Sequence, residues 1–339
     1  MKLLVTFILF FGCSNLIAQP RTLPLTMGVA PEQAFKKVFN TDTAHFESRE
    51  ASENGKWLFV SYEKTDTFNF NSPFYKNNDN RDYISVGIAF YEKQPNNYQL
   101  KFTNDNAFYC ATCNNVKGQG FTLNNDTIFI RISYGPSVAW ANDRFQFIYN
   151  RINNRWELSE AQIDMANDEK EITNEHIHFL SASGVYLDSY AAEYVHFENY
   201  PSEKAVRVSL TYTPGHYNAL LDSLKRFPKE HYKYLSKVFS TDNAEDFLSN
   251  EEIQLPLIPA NNIGYFFEQA NSLDVAKQFL DHVIAAYPKR EVAYYNLGDV
   301  YKKKGMKKEA IDNYNTYISL MTERNLQHKI PQSVKDYVK

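Results

Sequence analysis

The sequence lacks two features that would assign it to a common class of proteins, a basic excess and a long apolar stretch beyond its first residues. It has no excess of basic side chains, because 36 Lys and Arg stand against 40 Asp and Glu and the net charge is −4. Nucleic-acid-binding proteins carry basic surfaces that neutralise phosphates, so we expect no nucleic-acid partner. After the first residues no stretch of about 18 residues is apolar, so the mature chain is predicted to have no transmembrane span.

Recognisable catalytic motifs are also missing. The chain contains no G-x-S-x-G, no H-E-x-x-H, no P-loop and no dinucleotide-binding glycine fingerprint. Carboxylate pairs such as Glu251 and Glu252 do not indicate a glycosidase without a cleft to hold a sugar. We therefore predict that the protein is not an enzyme and needs no cofactor.

The first residues have the pattern of an export signal. Lys2 precedes an unbroken apolar run of about ten residues, and small residues follow. We predict a signal peptide at residues 1–18 with cleavage after Ala18, and hence an exported, periplasmic or extracellular protein. Lipid attachment at Cys13 is the less favoured alternative, since Phe10 stands where lipidation signals place a smaller aliphatic residue.

Cleavage would leave two cysteines, Cys110 and Cys113. A C-x-x-C pair can be a redox dithiol, half of a zinc site or a small loop disulfide. Redox pairs usually begin a helix, whereas Asn114 and Asn115 indicate a turn, and no second C-x-x-C completes a zinc site. The oxidising compartment favours the disulfide, with redox and metal roles as alternatives.

The pattern of apolar residues predicts an antiparallel β-rich domain at residues 19–160. Apolar and polar residues alternate as they do in strands, and Asn-rich turns separate the alternating segments. The clearest segments are 57–62, 84–90, 98–102, 127–132 and 144–149, and residues 151–158 form the last predicted hairpin.

The spacing becomes helical in the second half of the chain. Residues 161–213 are interpreted as a mixed connector that includes alternating pieces near His176 and Ala205. Residues 214–256 have the period of helices, interrupted at Pro228. The predicted fold class is α+β: an antiparallel β-rich domain followed by an α-helical C-terminal region.

Residues 257–339 contain an internal repeat of about 34 residues. When residues 257–290 are written above 291–324, Gly264 aligns with Gly298 and Ala276 with Ala310. This pattern resembles the tetratricopeptide repeat, in which each unit is a pair of antiparallel helices. The resemblance implies close helix approach at both glycines, and helices at 217–239 and 326–338 that cap the two units.

The resemblance also implies a binding groove for a protein or peptide on the first helix of each unit. Asn261 and Tyr295 stand where some family members place a lysine that holds a carboxylate, so a different ligand is implied. The alternative is that these residues only cover a solvent face. The groove residues by repeat position are Asn261, Asn262, Tyr265, Tyr295, Asn296, Asp299 and Lys302.

A weaker resemblance concerns the β-rich part. The segment that begins at Asn104 and Asp105 and leads into Cys110 and Cys113 is similar to a domain of uncharacterised bacterial envelope proteins. Together the two resemblances predict an interaction or assembly protein of the cell envelope. The alternative is a binding module whose β domain recognises a small ligand, a glycan or a target protein.

No metal site is predicted from the sequence. The Asn- and Asp-rich segment 75–83 lacks the acids that a calcium loop needs. His176 and His178 alternate, so both imidazoles should lie on one side of a strand and could share a metal with Glu175 or His196. We interpret them instead as histidines on the solvent face of a half-exposed strand.

Overall fold

The computed structural model describes about three quarters of the chain. The described residues are 21–28, 33–34, 37, 44–65, 84–105, 107–108, 116–135, 140–167, 171–180, 184–190, 205–249 and 255–339. The predicted signal peptide, Cys13, Cys110, Cys113, His196 and the segment 75–83 lie outside them. Unit 1 comprises Met1–Phe129, Phe147–Glu157 and Val185–Tyr194, and unit 2 comprises Ile130–Gln146, Leu158–Gly184 and Val195–Lys339.

Two β-sheets form the N-terminal part. The five-stranded sheet has the order β1-β5-β4-β3-β2, and the six-stranded sheet has the order β11-β10-β9-β8-β7-β6. The strands are β1 (Thr22–Pro24), β2 (Ala44–Ala51), β3 (Trp57–Thr65), β4 (Ile84–Lys93), β5 (Asn97–Asn104), β6 (Val116–Asn124), β7 (Thr127–Tyr134), β8 (Trp140–Asn150), β9 (Arg155–Ala166), β10 (Ile172–Phe179) and β11 (Ala205–Tyr212).

The alternating segments of the sequence are strands, as predicted. All five lie within β3, β4, β5, β7 and β8. Asn125 and Asn154 adopt the left-handed conformation in the turns that follow β6 and β8, with φ of 47° and 56°. Asparagine tolerates this conformation because its side chain can bond to its own backbone.

Residues 161–213, which the sequence analysis interprets as a mixed connector, contribute to the six-stranded sheet. They contain the end of β9 and all of β10 and β11. β10 pairs antiparallel with β9 on one side and with β11 on the other. Both alternating pieces noted in the sequence, near His176 and Ala205, are therefore strands.

Aromatic rings fill the core of unit 1. Trp156 of β9 makes edge-to-face contacts with Trp57, Phe59 and Phe90, at ring-centroid distances of 5.8, 5.2 and 5.7 Å. Edge-to-face packing sets the positive edge of one ring against the negative face of another. Among the β-domain aromatics whose burial the structure describes, most are core residues, and Phe90 and Tyr91 are among them.

Eight α-helices follow in the described residues, and none of them is long and apolar enough to cross a membrane. They are α1 (Tyr217–Arg226), α2 (Leu235–Val238), α3 (Thr241–Leu248), α4 (Leu257–Gln269), α5 (Leu273–Ala286), α6 (Glu291–Lys303), α7 (Lys307–Glu323) and α8 (Gln332–Tyr337). A 3₁₀ helix, Lys229–Tyr234, precedes α2 directly. The described part of the chain thus has the predicted α+β class.

One continuous core joins the strands and helices of unit 2. Val208 and Leu210 of β11 belong to the same buried cluster as Leu220 of α1, Phe267 of α4 and Val300 of α6. The helices at 217–248 therefore lie between the sheet and the first repeated helix pair. At the other end, Ile330 and Val334 pack in a cluster with Tyr314 and Tyr317 of α7.

The two repeated helix pairs, α4–α5 and α6–α7, approach closely at their glycines. A Cβ atom at Gly264 would lie 2.7 Å from Cγ of Leu280, and one at Gly298 would lie 2.5 Å from Cε1 of Tyr314. Both distances are too short for a real side chain. The sequence prediction that these glycines permit close helix approach is confirmed.

We expect Gly298→Ala to lower the free energy of unfolding by about 1–3 kcal/mol, because the Tyr314 ring must move to admit the methyl group. Chemical denaturation followed by circular dichroism measures the change. The control is Gly120→Ala, where a Cβ would meet nothing within 4 Å. Equal stability of the two variants would contradict a tight contact at Gly298.

Candidate functional site

The predicted groove residues of α4 and α6 do not all reach the surface. Tyr265 is 46% exposed and Lys302 is exposed, while Asn262, Tyr295 and Asp299 are partly buried. We call these five side chains the groove face.

Asn261 and Asn296 require a correction. They are only 2% and 4% exposed, so they cannot offer their amides to a partner in this arrangement. In a stacked helical array each helix is covered by neighbours on more than one side. Repeat position alone does not predict which side chains of a helix its neighbours bury.

On α6 the groove face is tied to the following helices. The Tyr314 hydroxyl donates a hydrogen bond of 2.6 Å to Oδ1 of Asp299, and burial raises the pKa of that carboxyl group. The Tyr295 ring lies 5.2 Å from that of Tyr317, and Nζ of Lys302 lies 5.0 Å from the ring of Tyr337. These three predicted groove residues therefore also hold α7 and α8 in place.

An ion pair between the buried Glu268 of α4 and the exposed Lys303 of α6 was not predicted. Glu268 is 2% exposed, and its Oε1 lies 2.7 Å from Nζ of Lys303. Lys303 also donates to the backbone carbonyl of Glu268, at 2.8 Å, and Gln269 donates to Oε2 at 2.6 Å. The only sequence signal is an acid placed among the apolar residues of the inner helix face.

Unit 1 contains a cleft of about 400 Å³. Its aromatic lining residues are Trp57, Phe90, Phe102 and Tyr149, and its polar ones are Glu92, Lys101, Asn154, Arg155 and Asp188. Nζ of Lys101 lies 3.2 Å from Glu92, and Nε of Arg155 donates to Asp188 at 2.8 Å. Trp57 and Phe90 are buried, so Phe102 and Tyr149 supply the accessible aromatic surface beside charged groups of both signs.

The segment that begins at Asn104 has a structural role within unit 1. The side-chain amide of Asn104 donates to the carbonyls of Leu187 and Tyr190, both at 2.6 Å. Asp105 accepts a 2.5 Å hydrogen bond from the hydroxyl of Tyr62, whose pKa is raised by burial and by that carboxylate. The resemblance to envelope domains stays a prediction.

The two histidines of β10 differ from the prediction in the burial of His176 and in the acid that lies beside them. His176 is completely buried, so the interpretation of both imidazoles as solvent-facing is wrong for this residue. Burial lowers its pKa to about 4, so the ring is neutral at pH 7. Glu175, the ligand considered from the sequence, instead pairs with Nε of Arg207 at 2.8 Å. The acid beside the histidines is Glu160 of β9, which sequence analysis missed.

We expect Lys303→Met to lower the free energy of unfolding by about 2 kcal/mol, because Glu268 would keep its buried charge without the ammonium group. The neighbouring Lys302→Met is the matched control. It removes an exposed lysine whose Nζ lies over the ring of Tyr337, so the expected loss is below about 1 kcal/mol. Urea denaturation of both variants measures the difference, and equal losses would contradict this role for Lys303.

Comparison with known proteins supports the repeat. Residues 292–320, which span most of α6 and α7, match the family model described as tetratricopeptide repeat. No curated protein matches the chain. A solved structure titled "Crystal structure of MamA" is 20% identical, with 37% of this chain and 85% of that chain covered, at a TM-score of 0.18. That likeness carries no argument, and the family match places a tetratricopeptide repeat in the C-terminal part.

Proposed function

We propose that the protein is a non-enzymatic interaction or assembly protein that binds a protein or peptide partner on its groove face. The observation that carries this proposal is the match of α6 and α7 to the tetratricopeptide repeat. Stacked helix pairs of this kind leave one row of helices uncovered, and such rows form extended binding surfaces.

The exposed part of α4 has the chemistry of a peptide-binding surface. Ile258 and Tyr265 are 62% and 46% exposed, and they lie seven residues apart with Asn262 between them. Residues at this spacing share one side of a helix. An exposed apolar side chain and an exposed tyrosine can contact a partner's apolar residue, while the Asn262 amide can bond to its backbone.

The proposal includes export to the bacterial cell envelope. Its support is the pattern of residues 1–18, a lysine followed by an apolar run and small residues. A partner of the groove face would then be an envelope or extracellular protein.

A photocrosslinking amino acid placed at position 265 tests the groove face in living cells. The matched control is position 315, where Asn315 is also exposed but lies on α7, the second helix of its pair. We expect a discrete adduct from position 265 and none from position 315, because only the first faces the proposed partner.

The double substitution Ile258→Ala/Tyr265→Ala should reduce capture by about tenfold, as expected when two central contact residues are truncated. For this comparison the photocrosslinker stands at Asn262, between the two. Adducts of equal yield at positions 265 and 315 would contradict the proposal.

The cleft of unit 1 supports a second candidate function, recognition of a small ligand or glycan. Aromatic lining with charged groups around it is the usual composition of a sugar or small-ligand site. We expect an acidic or neutral oligosaccharide to change the tryptophan fluorescence, since Trp57 and Tyr149 line the cleft.

Lys101→Ala should weaken that binding by about tenfold, the contribution of one charge-assisted hydrogen bond. Lys117→Ala is the control, because Lys117 is exposed on β6 and does not line the cleft. No saturable fluorescence change with any oligosaccharide tested would remove the glycan candidate.

A further inference from the structure

Three side chains that can bind a metal converge on one face of the six-stranded sheet. His176 and His178 are two residues apart on β10, so their side chains point the same way. The antiparallel register places Glu160 of β9 directly opposite His178. The ligand atoms of all three side chains lie within 4.8 Å of one another.

The imidazole of His176 is buried, and its two nitrogens are left unpaired within the described residues. It is fully buried, and neither Nδ1 nor Nε2 has a hydrogen-bond partner there. Nδ1 of His178 also lacks one, although it lies 3.7 Å from Oε1 of Glu160. Buried polar groups in proteins are almost always paired, so two unpaired nitrogens on one buried ring indicate a missing ligand.

We propose that Glu160, His176 and His178 bind a transition-metal ion of the zinc class. Imidazole nitrogen and carboxylate oxygen are the donors that Zn²⁺ and similar ions prefer. Calcium or magnesium would need six or more oxygen donors, and this cluster offers a single carboxylate. Three protein ligands leave a fourth position for water or for a further ligand.

The surroundings of the cluster fit a site that holds its ligands in place. The ring of Tyr234 lies 5.3 Å from that of His176 and 5.6 Å from that of His178, so it limits the rotation of both imidazoles. Zinc bonds of about 2.0–2.1 Å bring neighbouring ligand atoms within about 3.4 Å, so the side chains would have to converge by up to about 1.4 Å.

Lys237 of α2 is a cation beside this cluster. Its Nζ lies 3.2 Å from Oε2 of Glu160. The ammonium group keeps the carboxylate beside the histidines, and it also repels an incoming cation. The affinity for metal therefore depends on how easily the flexible lysine moves towards solvent, where 43% of its side chain is already exposed.

The test measures zinc binding by isothermal titration calorimetry on the untagged full chain at neutral pH. The background carries Cys13→Ser, Cys110→Ser and Cys113→Ser, so that no thiolate competes for the ion. We expect one ion per chain, and a rise in the unfolding temperature on addition of zinc. Cobalt substitution should produce the visible absorption of a four-coordinate Co²⁺ site.

Single variants assign the ligands. Glu160→Gln and His178→Ala should each weaken zinc binding by at least about 100-fold. Loss of a residue that only hydrogen-bonds to a ligand weakens metal binding by at most about that much. His282→Ala is the matched control, because His282 is exposed on α5 and should leave the affinity unchanged. Lys237→Met should tighten binding by about fivefold, since it removes the nearby positive charge.

Two results would overturn the proposal. One is a folded, cysteine-free chain, checked by circular dichroism, that binds no stoichiometric zinc. The other is binding that survives both Glu160→Gln and His178→Ala, which would show that the ion sits elsewhere. Neither result depends on the groove face, so failure here leaves the proposed peptide-binding function standing.

Discussion

In unit 2 the repeated helix pairs are stable only if their apolar surface is covered, and a β-sheet contributes that cover. A helix pair cannot bury its apolar face alone, and arrays of this kind need about three units. This chain has two repeated pairs, and its buried cluster continues from Phe267 through Leu220 to Val208 and Leu210 of β11. The sheet and the helices α1–α3 thus replace the missing repeat, while Ile330 and Val334 cover the other end.

The same cover explains why polar groups are buried on β10. Every second residue of the strand faces the helices, so a polar residue in that row loses its water. The amide nitrogen of Asn174 donates to Oδ1 of Asn243 on α3, at 3.2 Å. His176, two residues further on, has no such partner in the described residues. The unsatisfied ring is therefore a consequence of the packing that stabilises the repeats, and a metal ion is one way to satisfy it.

Local periodicity was sufficient to predict five of the described strands and the repeated helix pairs, because each depends on residues close in sequence. The partner of the histidines depends on pairing between strands, which alternation within one strand does not specify. Part of that pairing could nevertheless be predicted from the sequence. Once Ala166 is placed opposite Ile172 across a short turn, counting six residues along each strand sets Glu160 opposite His178. The acidic run of the sequence between Asp164 and Glu175 concealed the hairpin.

The groove shows a different limit of sequence reasoning. Repeat position identifies which helix faces outward, but burial depends on the bulk of the neighbouring helices, and so Asn261 and Asn296 are interior. On α6, Asp299 and Lys302 already contact Tyr314 and Tyr337. A partner that displaced those contacts would weaken the packing of the last helices. Binding on the exposed side chains of α4 carries no such cost, so the proposed recognition should centre on α4, with α6 as its support.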